Sequence, residues 1–280
     1  MTAIDYEAEY NVHALVPEHP QVSARRERDS KAYRAEARGA ELNVSYGPSP
    51  RQVYDVFPAT GGSAPLALYI HGGGWRALAP SFFSHMAKGA NAHGITVALA
   101  GYDLCPDVSM ATIIEEVRAA ALALWRRYHQ RIFVFGHSAG GHLTACLLAT
   151  DWTTLASDVP GDLVPAAYTV SGVFDLTPLT HTAQNEILKL DAKSAHDCSP
   201  LFWKVPPGRK LDAVVGADES SEFIRQSRTV AETWRKAGAD TRFELVAGNH
   251  FTALEPLADP ASAMTKRLAE MAKAAVALPL

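Results

Sequence analysis

Short apolar runs alternate with helical periodicity along most of this chain, and this alternation limits the possible folds more than any other feature. Seven runs have the length and character of strands, and they lie at 52–57, 65–71, 95–102, 131–136, 166–172, 210–216 and 241–248. Helical spacing is found at 110–128, 139–150, 220–238 and from about 261 onward. Apolar strands that alternate with helices predict an α/β fold with a mostly parallel sheet covered on both faces. Ligands of such sheets bind at the carboxyl ends of the strands.

The first fifty residues differ from the rest. They are charged and helical in pattern up to Arg38, and the pattern then breaks at SYGPSPRQ (45–52), which contains two prolines and a glycine. We interpret residues 1–50 as a helical extension or lid and residues 51–280 as the main domain. The alternative for the extension is a contact between subunits, as in a homodimer.

The amino-acid composition limits the classes of protein to which this chain can belong. The 280 residues carry a net charge of −4, and 48% of them are hydrophobic, which is typical of a globular protein with a sizeable core. Without a basic excess or a long apolar stretch, we expect neither a nucleic-acid partner nor a membrane span. The acidic N-terminal sequence lacks the apolar region of a secretory signal, so we expect a cytoplasmic protein. The spacing of Cys105, Cys146 and Cys198 fits neither a disulfide framework nor a metal site.

The segment FVFGHSAGGH (133–142) holds a serine between glycines at the point where an apolar run gives way to a helix. Its central GHSAG (136–140) matches the pattern G-x-S-x-G in the strand-to-helix context that gives this pattern its meaning. The tight turn forces Ser138 into a strained backbone conformation and leaves no room for side chains at the glycine positions. The hydroxyl would then stand at the start of the helix, where free N–H groups favour negative charge. The alternative is a glycine-rich turn with an incidental serine.

A second glycine-rich segment, HGGGW (71–75), directly follows the apolar run at 65–71. Consecutive glycines let backbone N–H groups point into a cavity and approach a ligand closely. In an acyl-transfer enzyme these N–H groups, together with that of Ala139 after the serine, would bind the oxyanion of the tetrahedral intermediate. We expect His71 to brace this loop. The alternative is a flexible glycine loop.

A serine hydroxyl needs a base to become a nucleophile, and His250 is the best placed of the eleven histidines. It follows the last predicted strand in a short loop, so we expect it at the strand ends. His137 and His142 are too close to Ser138 in sequence to reach its Oγ from the side. We expect surface or structural roles for the remaining histidines.

The base in turn needs a carboxylate that fixes its tautomer and stabilises the imidazolium. The loop after the run at 210–216 offers two adjacent carboxylates, Asp218 and Glu219. Either of them gives the chain order serine, acid, histidine. The residues alone do not choose between the two.

These motifs resemble the α/β-hydrolase superfamily, in the branch with an H-G-G-G loop, and within it the kynurenine formamidase (arylformamidase) group. HGGGW and GHSAGGHL fit the glycine loop and the serine turn of that group. SGVFDLTPL (171–179) and ESSEFIRQS (219–227) are more specific likenesses, and DCSPLF (197–202) is a weaker one. The resemblance runs from about Tyr46 to the C-terminus. It implies the α/β-hydrolase fold with about eight strands and helices on both faces, and a catalytic domain at 51–280.

The resemblance also implies roles for individual residues. Ser138 would be the nucleophile and His250 the base. The oxyanion hole would consist of three backbone N–H groups, those of Gly73, Gly74 and Ala139. Matching SSEF to the pattern of the group assigns the acid to Glu219, which we favour, whereas the spacing between acid and histidine in the group would assign it to Asp218.

The resemblance further implies a serine hydrolase that cleaves an N-formyl aryl amide similar to N-formylkynurenine, or a small ester, through an acyl-serine. Such an enzyme needs a small-molecule substrate and no metal or organic cofactor. A general short-chain carboxylesterase is the first alternative, and a non-catalytic ligand receptor on the same fold is the second. Several aromatic residues could line a substrate pocket or belong to the core, namely Trp75, Phe82, Phe83, Phe174 and Phe251. Of these, we expect Trp75, Phe174 and Phe251 in the pocket.

Overall fold

Eight strands form one sheet in the computed structural model, which describes residues 4–59 and 64–277. They are β1 (Glu41–Ser45), β2 (Val53–Phe57), β3 (Leu66–Ile70), β4 (Thr96–Ala100), β5 (Ile132–His137), β6 (Ala166–Val170), β7 (Lys210–Gly216) and β8 (Asp240–Val246). Their order across the sheet is β1-β2-β4-β3-β5-β6-β7-β8. β2 pairs antiparallel with β1 and with β4, whereas the other neighbours are parallel. The prediction of a mostly parallel sheet is confirmed.

Helices occupy most of the connections. They are α1 (Tyr6–Tyr10), α2 (Val12–Leu15), α3 (His19–Glu36), α4 (Ala87–Ala92), α5 (Met110–Tyr128), α6 (Ala139–Leu148), α7 (Asn185–Leu188), α8 (Ala192–Asp197), α9 (Ser221–Lys236) and α10 (Ala263–Val276). Short 3-10 helices lie at Pro80–Met86, Trp152–Thr154, Thr177–His181, Pro200–Phe202 and Glu255–Ala258. Within residues 4–59 and 64–277, no helix has both the length and the hydropathy that crossing a membrane requires.

The sheet separates two apolar cores. One core includes residues of α5, α6 and α9, such as Ile113, Leu143 and Val230. The other includes Ala87 of α4 and Leu268 of α10. Because helices cover both faces, every residue of β3, β4 and β5 is buried, and this is why their sequences are continuous apolar runs.

The strand β1 is not predicted by the sequence pattern. It lies within residues 1–50 and forms an edge of the sheet beside β2. Its sequence ELNVS alternates polar and apolar residues, but four of the five are exposed, so it lacks the continuous apolar run that marks the buried strands. The helical part of the N-terminal segment therefore ends at Glu36, and the chain then enters the sheet.

The N-terminal helices pack on segments that follow the strands. The long helix α3 packs on the 3-10 helix Pro80–Met86, where Ser30 Oγ lies 2.6 Å from His85 Nδ1. Arg34 of the same helix forms an ion pair with the buried carboxylate of Asp55 in β2. The short helix α1 contacts α9 and the 3-10 helix Thr177–His181. These contacts join the first helices to β2 and to segments that follow β3, β6 and β7.

Candidate active site

A single residue, Ser138, joins β5 to α6. Its backbone angles, φ 56° and ψ −121°, are strained for a residue with a side chain. A Cβ at Gly136 would lie 2.4 Å from the carbonyl oxygen of Gly140, and a Cβ at Gly140 would lie 1.9 Å from that of Ile70. Only glycine fits at these two positions, and this close packing allows the turn to present Ser138 at the start of a helix.

Three side chains from separate loops meet at this turn. Ser138 Oγ lies 3.0 Å from His250 Nε2, and His250 Nδ1 lies 2.7 Å from Glu219 Oε2. Only 6% of the His250 side chain and none of the Glu219 side chain is exposed. Because a carboxylate only accepts, His250 donates from Nδ1 and its Nε2 can accept the proton of the serine hydroxyl. This arrangement orients an imidazole for taking a proton from Ser138.

The two adjacent carboxylates after β7 occupy different environments. Glu219 Oε1 accepts a hydrogen bond from the Gly216 N–H at 2.8 Å and another from the Ser171 hydroxyl. Asp218 is exposed and lies outside this arrangement. The structure therefore brings Glu219, and not Asp218, to His250.

Two neighbouring residues that the sequence analysis did not assign also hold this arrangement. His137 is buried, and its Nε2 lies 2.7 Å from the carbonyl oxygen of His250. Burial, and then the charges of His250 and Arg26, hold the pKa of His137 well below its usual range, so His137 is neutral and donates this hydrogen bond. Ser171, which donates to Glu219, has a positive φ of 54° directly after β6. In the sequence, Ser171 is the first residue of SGVFDLTPL, one of the segments that resemble the kynurenine formamidase group.

The glycine loop after β3 lies against the serine turn. Gly73 and Gly74 have positive φ angles of 122° and 60°. Within the described part of the chain their N–H groups make no hydrogen bond. Ala139 is the first residue of α6, so its N–H has no partner within the helix. A Cβ at Gly72 would lie 3.2 Å from Ser138 Cβ, so the loop and the serine are in direct contact.

Buried side chains fix this loop. Trp75 donates from Nε1 to His142 Nδ1 at 3.2 Å, and His142 Nε2 lies 2.8 Å from the carbonyl oxygen of Cys198. Burial lowers the pKa of His142 to about 4, so its ring is neutral and accepts at Nδ1 while it donates at Nε2. His71 Nδ1 lies 2.6 Å from the carbonyl oxygen of Gly72. The sequence predicts such bracing by His71 but not the contribution of His142.

A cavity of about 660 Å³ opens over Ser138 and His250. Of the five aromatic residues considered for its wall, four line it, namely Trp75, Phe82, Phe83 and Phe251. Phe174 does not, and this expectation is wrong. Its ring is completely buried beneath Gly172, where it belongs to the core on the α6 side of the sheet.

The N-terminal segment contributes to the same cavity and to the helix beside Glu219. Glu9 Oε2 accepts hydrogen bonds from the Glu222 N–H at 2.9 Å and the Ser221 hydroxyl at 3.0 Å, and so caps the start of α9. Tyr10 lines the cavity, and its ring packs on Phe223 at 5.5 Å between centroids. The ring centroids of Phe223 and His250 lie 4.5 Å apart. A continuous set of contacts therefore joins α1 to His250.

Replacing Tyr10 by phenylalanine is expected to lower the free energy of unfolding by about 1–3 kcal/mol. The buried hydroxyl donates to Glu222 Oε2 at 3.0 Å and accepts from Gln226 Nε2 at 2.5 Å, and both partners would lose a hydrogen bond. Thermal unfolding followed by circular dichroism measures this change. Tyr6→Phe is the matched control, because within the described residues the Tyr6 hydroxyl makes no hydrogen bond. Equal melting temperatures for the two variants would contradict the prediction.

Comparison with known proteins identifies the family. Residues 67–255 match the sequence model of a family with the α/β-hydrolase fold. The chain is 32% identical over 240 residues to a kynurenine formamidase of Danio rerio, covering 82% of this chain and 81% of that protein. It is 29% identical over 231 residues to a kynurenine formamidase of Drosophila melanogaster, covering 74% of each.

Solved structures give the same result. A protein of Silicibacter sp. named as a thioesterase superposes with a TM-score of 0.84 at 31% identity, covering 94% of this chain and 98% of that chain. A thermostable carboxylesterase from a metagenomic library superposes with a TM-score of 0.74 at 19% identity, covering 93% and 96%. The second likeness concerns the fold alone. The chain therefore belongs to the α/β-hydrolase family, and within this family its sequence is similar to those of kynurenine formamidases.

Proposed function

We propose that this protein is a serine hydrolase that cleaves N-formyl aryl amides or small aryl esters through an acyl-serine intermediate. The observation that carries the proposal is the chain of hydrogen bonds from Ser138 Oγ through His250 to Glu219, with lengths of 3.0 and 2.7 Å. The serine occupies a strained turn at a helix start. It faces a cavity that is large enough for a small aromatic substrate.

In the first half of the reaction, Ser138 Oγ attacks the carbonyl carbon of the substrate while its proton moves to His250 Nε2. The negative charge passes to the carbonyl oxygen, which accepts hydrogen bonds from the N–H groups of Gly73, Gly74 and Ala139. The tetrahedral intermediate then collapses, and the bond to the leaving group breaks. His250 returns the proton to the departing amine or alcohol, and the acyl group remains on Ser138.

In the second half, water replaces the leaving group. His250 accepts a proton from water as its oxygen attacks the acyl carbon, and the same three N–H groups bind the new oxyanion. Collapse returns the proton to Ser138 Oγ and releases the carboxylic acid, which is formic acid for a formamide substrate. Glu219 remains ionised throughout and stabilises the imidazolium form of His250. The steps use water, the side chains of Ser138, His250 and Glu219, and three backbone N–H groups.

Two observations favour an N-formyl aryl amide as substrate. The relatives at 29–32% identity are named kynurenine formamidases. Aromatic side chains line the cavity beside the serine, among them Trp75, Phe82, Phe83, Phe223 and Phe251. The alternative is a general short-chain carboxylesterase, which would use the same residues. A non-catalytic receptor does not need a histidine that is hydrogen-bonded to both a serine and a carboxylate.

Turnover of N-formylkynurenine and of 4-nitrophenyl acetate by one preparation tests this function. We expect both to be cleaved, with the higher kcat/KM for N-formylkynurenine. A fluorophosphonate probe should label the wild type, because Ser138 is activated by His250. A protein that cleaves only the acetate would be a general esterase. A protein that resists the probe and cleaves neither substrate would overturn the proposal.

We also propose that the N-terminal segment is a lid over this cavity. Residues of α1, α2 and α3 line it, among them Tyr10, Val12 and Arg26. Such a segment would exclude bulk water from the acyl-serine. The expectations of a cytoplasmic location and of a homodimer stay predictions.

A further inference from the structure

One arginine beside the glycine loop has no role in the reaction described above. Arg76 directly follows Trp75, and its N–H donates to the Gly73 carbonyl oxygen at 3.2 Å. Its side chain lines the cavity and folds back over the loop, because a Cβ at Gly74 would lie 3.7 Å from Arg76 Nε. Among residues 4–59 and 64–277, no carboxylate or carbonyl accepts a hydrogen bond from its guanidinium.

A second donor lies against the same glycine. The same Cβ at Gly74 would lie 2.9 Å from Gln184 Nε2. This amide nitrogen donates to the Gly74 carbonyl oxygen at 3.3 Å and has a second N–H that remains available. Gln184 is half-buried and also lines the cavity. Arg76 and Gln184 therefore present N–H groups to one region next to the glycine loop.

The other charged groups of the cavity leave Arg76 without a counter-ion. Arg26 is paired with Glu255 at 2.8 Å. Glu7 accepts hydrogen bonds from the Ala183 N–H at 2.8 Å and from Asn11 Nδ2 at 3.2 Å. Among the described residues, Arg26 is the only charged residue lining the cavity, besides His250, that forms an ion pair. Among the described residues, Arg76 is thus the lining arginine without an ion pair, and the Glu7 carboxylate, which also lines the cavity, is hydrogen-bonded to neutral groups and forms no ion pair with it.

A titratable neighbour responds to this charge. Burial lowers the pKa of His13, and the nearby charges of His19, Arg76 and His250 lower it further. His13 also lines the cavity, and its ring lies 5.7 Å from that of Phe251. An aromatic surface and a free guanidinium are therefore parts of the same cavity.

We propose that Arg76, with Gln184 beside it, binds a carboxylate carried by the aromatic leaving group of the substrate. This inference rests on the proposed function, since it concerns which leaving groups the same site selects. Guanidinium groups bind carboxylates through paired N–H donors, and a hydrogen bond to a charged group is stronger than a neutral one. The charge specifies the substrate class as aryl amides or esters with an anionic substituent on the aryl part.

The test compares two substrates that differ only by a carboxylate, formanilide and 3-formamidobenzoate. The measured quantity is the kcat/KM for the anionic substrate divided by that for the neutral one. Losing a hydrogen bond to a charged group changes affinity by about tenfold or more. Arg76→Gln should therefore lower this ratio about tenfold, and Arg76→Lys should lower it less. Because Arg76 is exposed, added salt should also lower the wild-type ratio.

Arg235→Gln is the matched control, because Arg235 lies in the last turn of α9, outside the cavity, and should leave the ratio unchanged. A second experiment measures, by calorimetry, the affinity of Ser138→Ala for the two products, 3-aminobenzoate and aniline. Because this measurement needs no turnover, it tests the subsite separately from the proposed function. If the wild type cleaves neither formamide but Ser138→Ala still binds 3-aminobenzoate through Arg76, the function fails and the subsite stands. If Arg76→Gln leaves both the kinetic ratio and the binding preference unchanged, the subsite is overturned.

Discussion

Ser138→Ala is expected to lower kcat for any cleaved ester or formamide by about 10⁴- to 10⁶-fold, the loss seen when a serine nucleophile is removed from a triad. The alanine has no hydroxyl to attack the carbonyl carbon or to donate to His250. The N–H groups of Gly73, Gly74 and Ala139 remain, so a small residual rate over water is expected. Steady-state turnover and loss of fluorophosphonate labelling measure the effect.

Stability separates this result from misfolding. Alanine keeps the Cβ that the backbone of Ser138 already accommodates at φ 56°. The melting temperature of Ser138→Ala should therefore stay close to that of the wild type. Ser171→Ala is a useful comparison, because it removes a hydroxyl that contacts Glu219 and not the substrate carbon. Turnover by Ser138→Ala within tenfold of the wild type, with a matched melting temperature, would show that another residue attacks the substrate.

Burial explains which parts of the fold were predictable. β3, β4 and β5 are buried on both faces, and each leaves a continuous apolar run in the sequence. β1 lies at the edge of the sheet, and four of its five residues are exposed. It therefore has no continuous apolar run by which a buried strand is recognised. The boundaries of α5 at 110–128 match the prediction, because its apolar face repeats with helical spacing against the core.

The candidate site was predictable where local sequence dictates geometry. The turn at Ser138 requires glycine at 136 and 140, and the close contacts there explain why the motif is readable. Phe174 was misjudged because a residue near a strand end can point either into the cavity or into the core, and the sequence does not specify its direction. Asp218 and Glu219 are adjacent, so only the path of the loop decides which one faces His250. That path depends on tertiary contacts such as those of Ser171 and Gly216 with Glu219.

Glu219→Gln is expected to lower kcat by about 10³- to 10⁴-fold, in line with the loss on amidation of a triad carboxylate. Glu219 Oε1 accepts from the fixed Gly216 N–H at 2.8 Å, so the amide oxygen of glutamine is required on that side. The amide nitrogen then faces His250 Nδ1, where it can only donate. This selects the tautomer with hydrogen on Nε2, which cannot accept the proton of Ser138.

Asp218→Asn is the matched control, because it makes the same chemical change one residue earlier in the same loop. Its side chain is exposed and lies outside the hydrogen bonds of His250, so kcat should remain within about twofold of the wild type, as for most surface substitutions. Turnover of both variants over a range of pH, with melting temperatures as a check on folding, measures the contrast. If Asp218→Asn were the inactive variant and Glu219→Gln the active one, the loop would have to rearrange so that Asp218 reached His250. The contact between Glu219 and His250 would then not be the one used in the reaction.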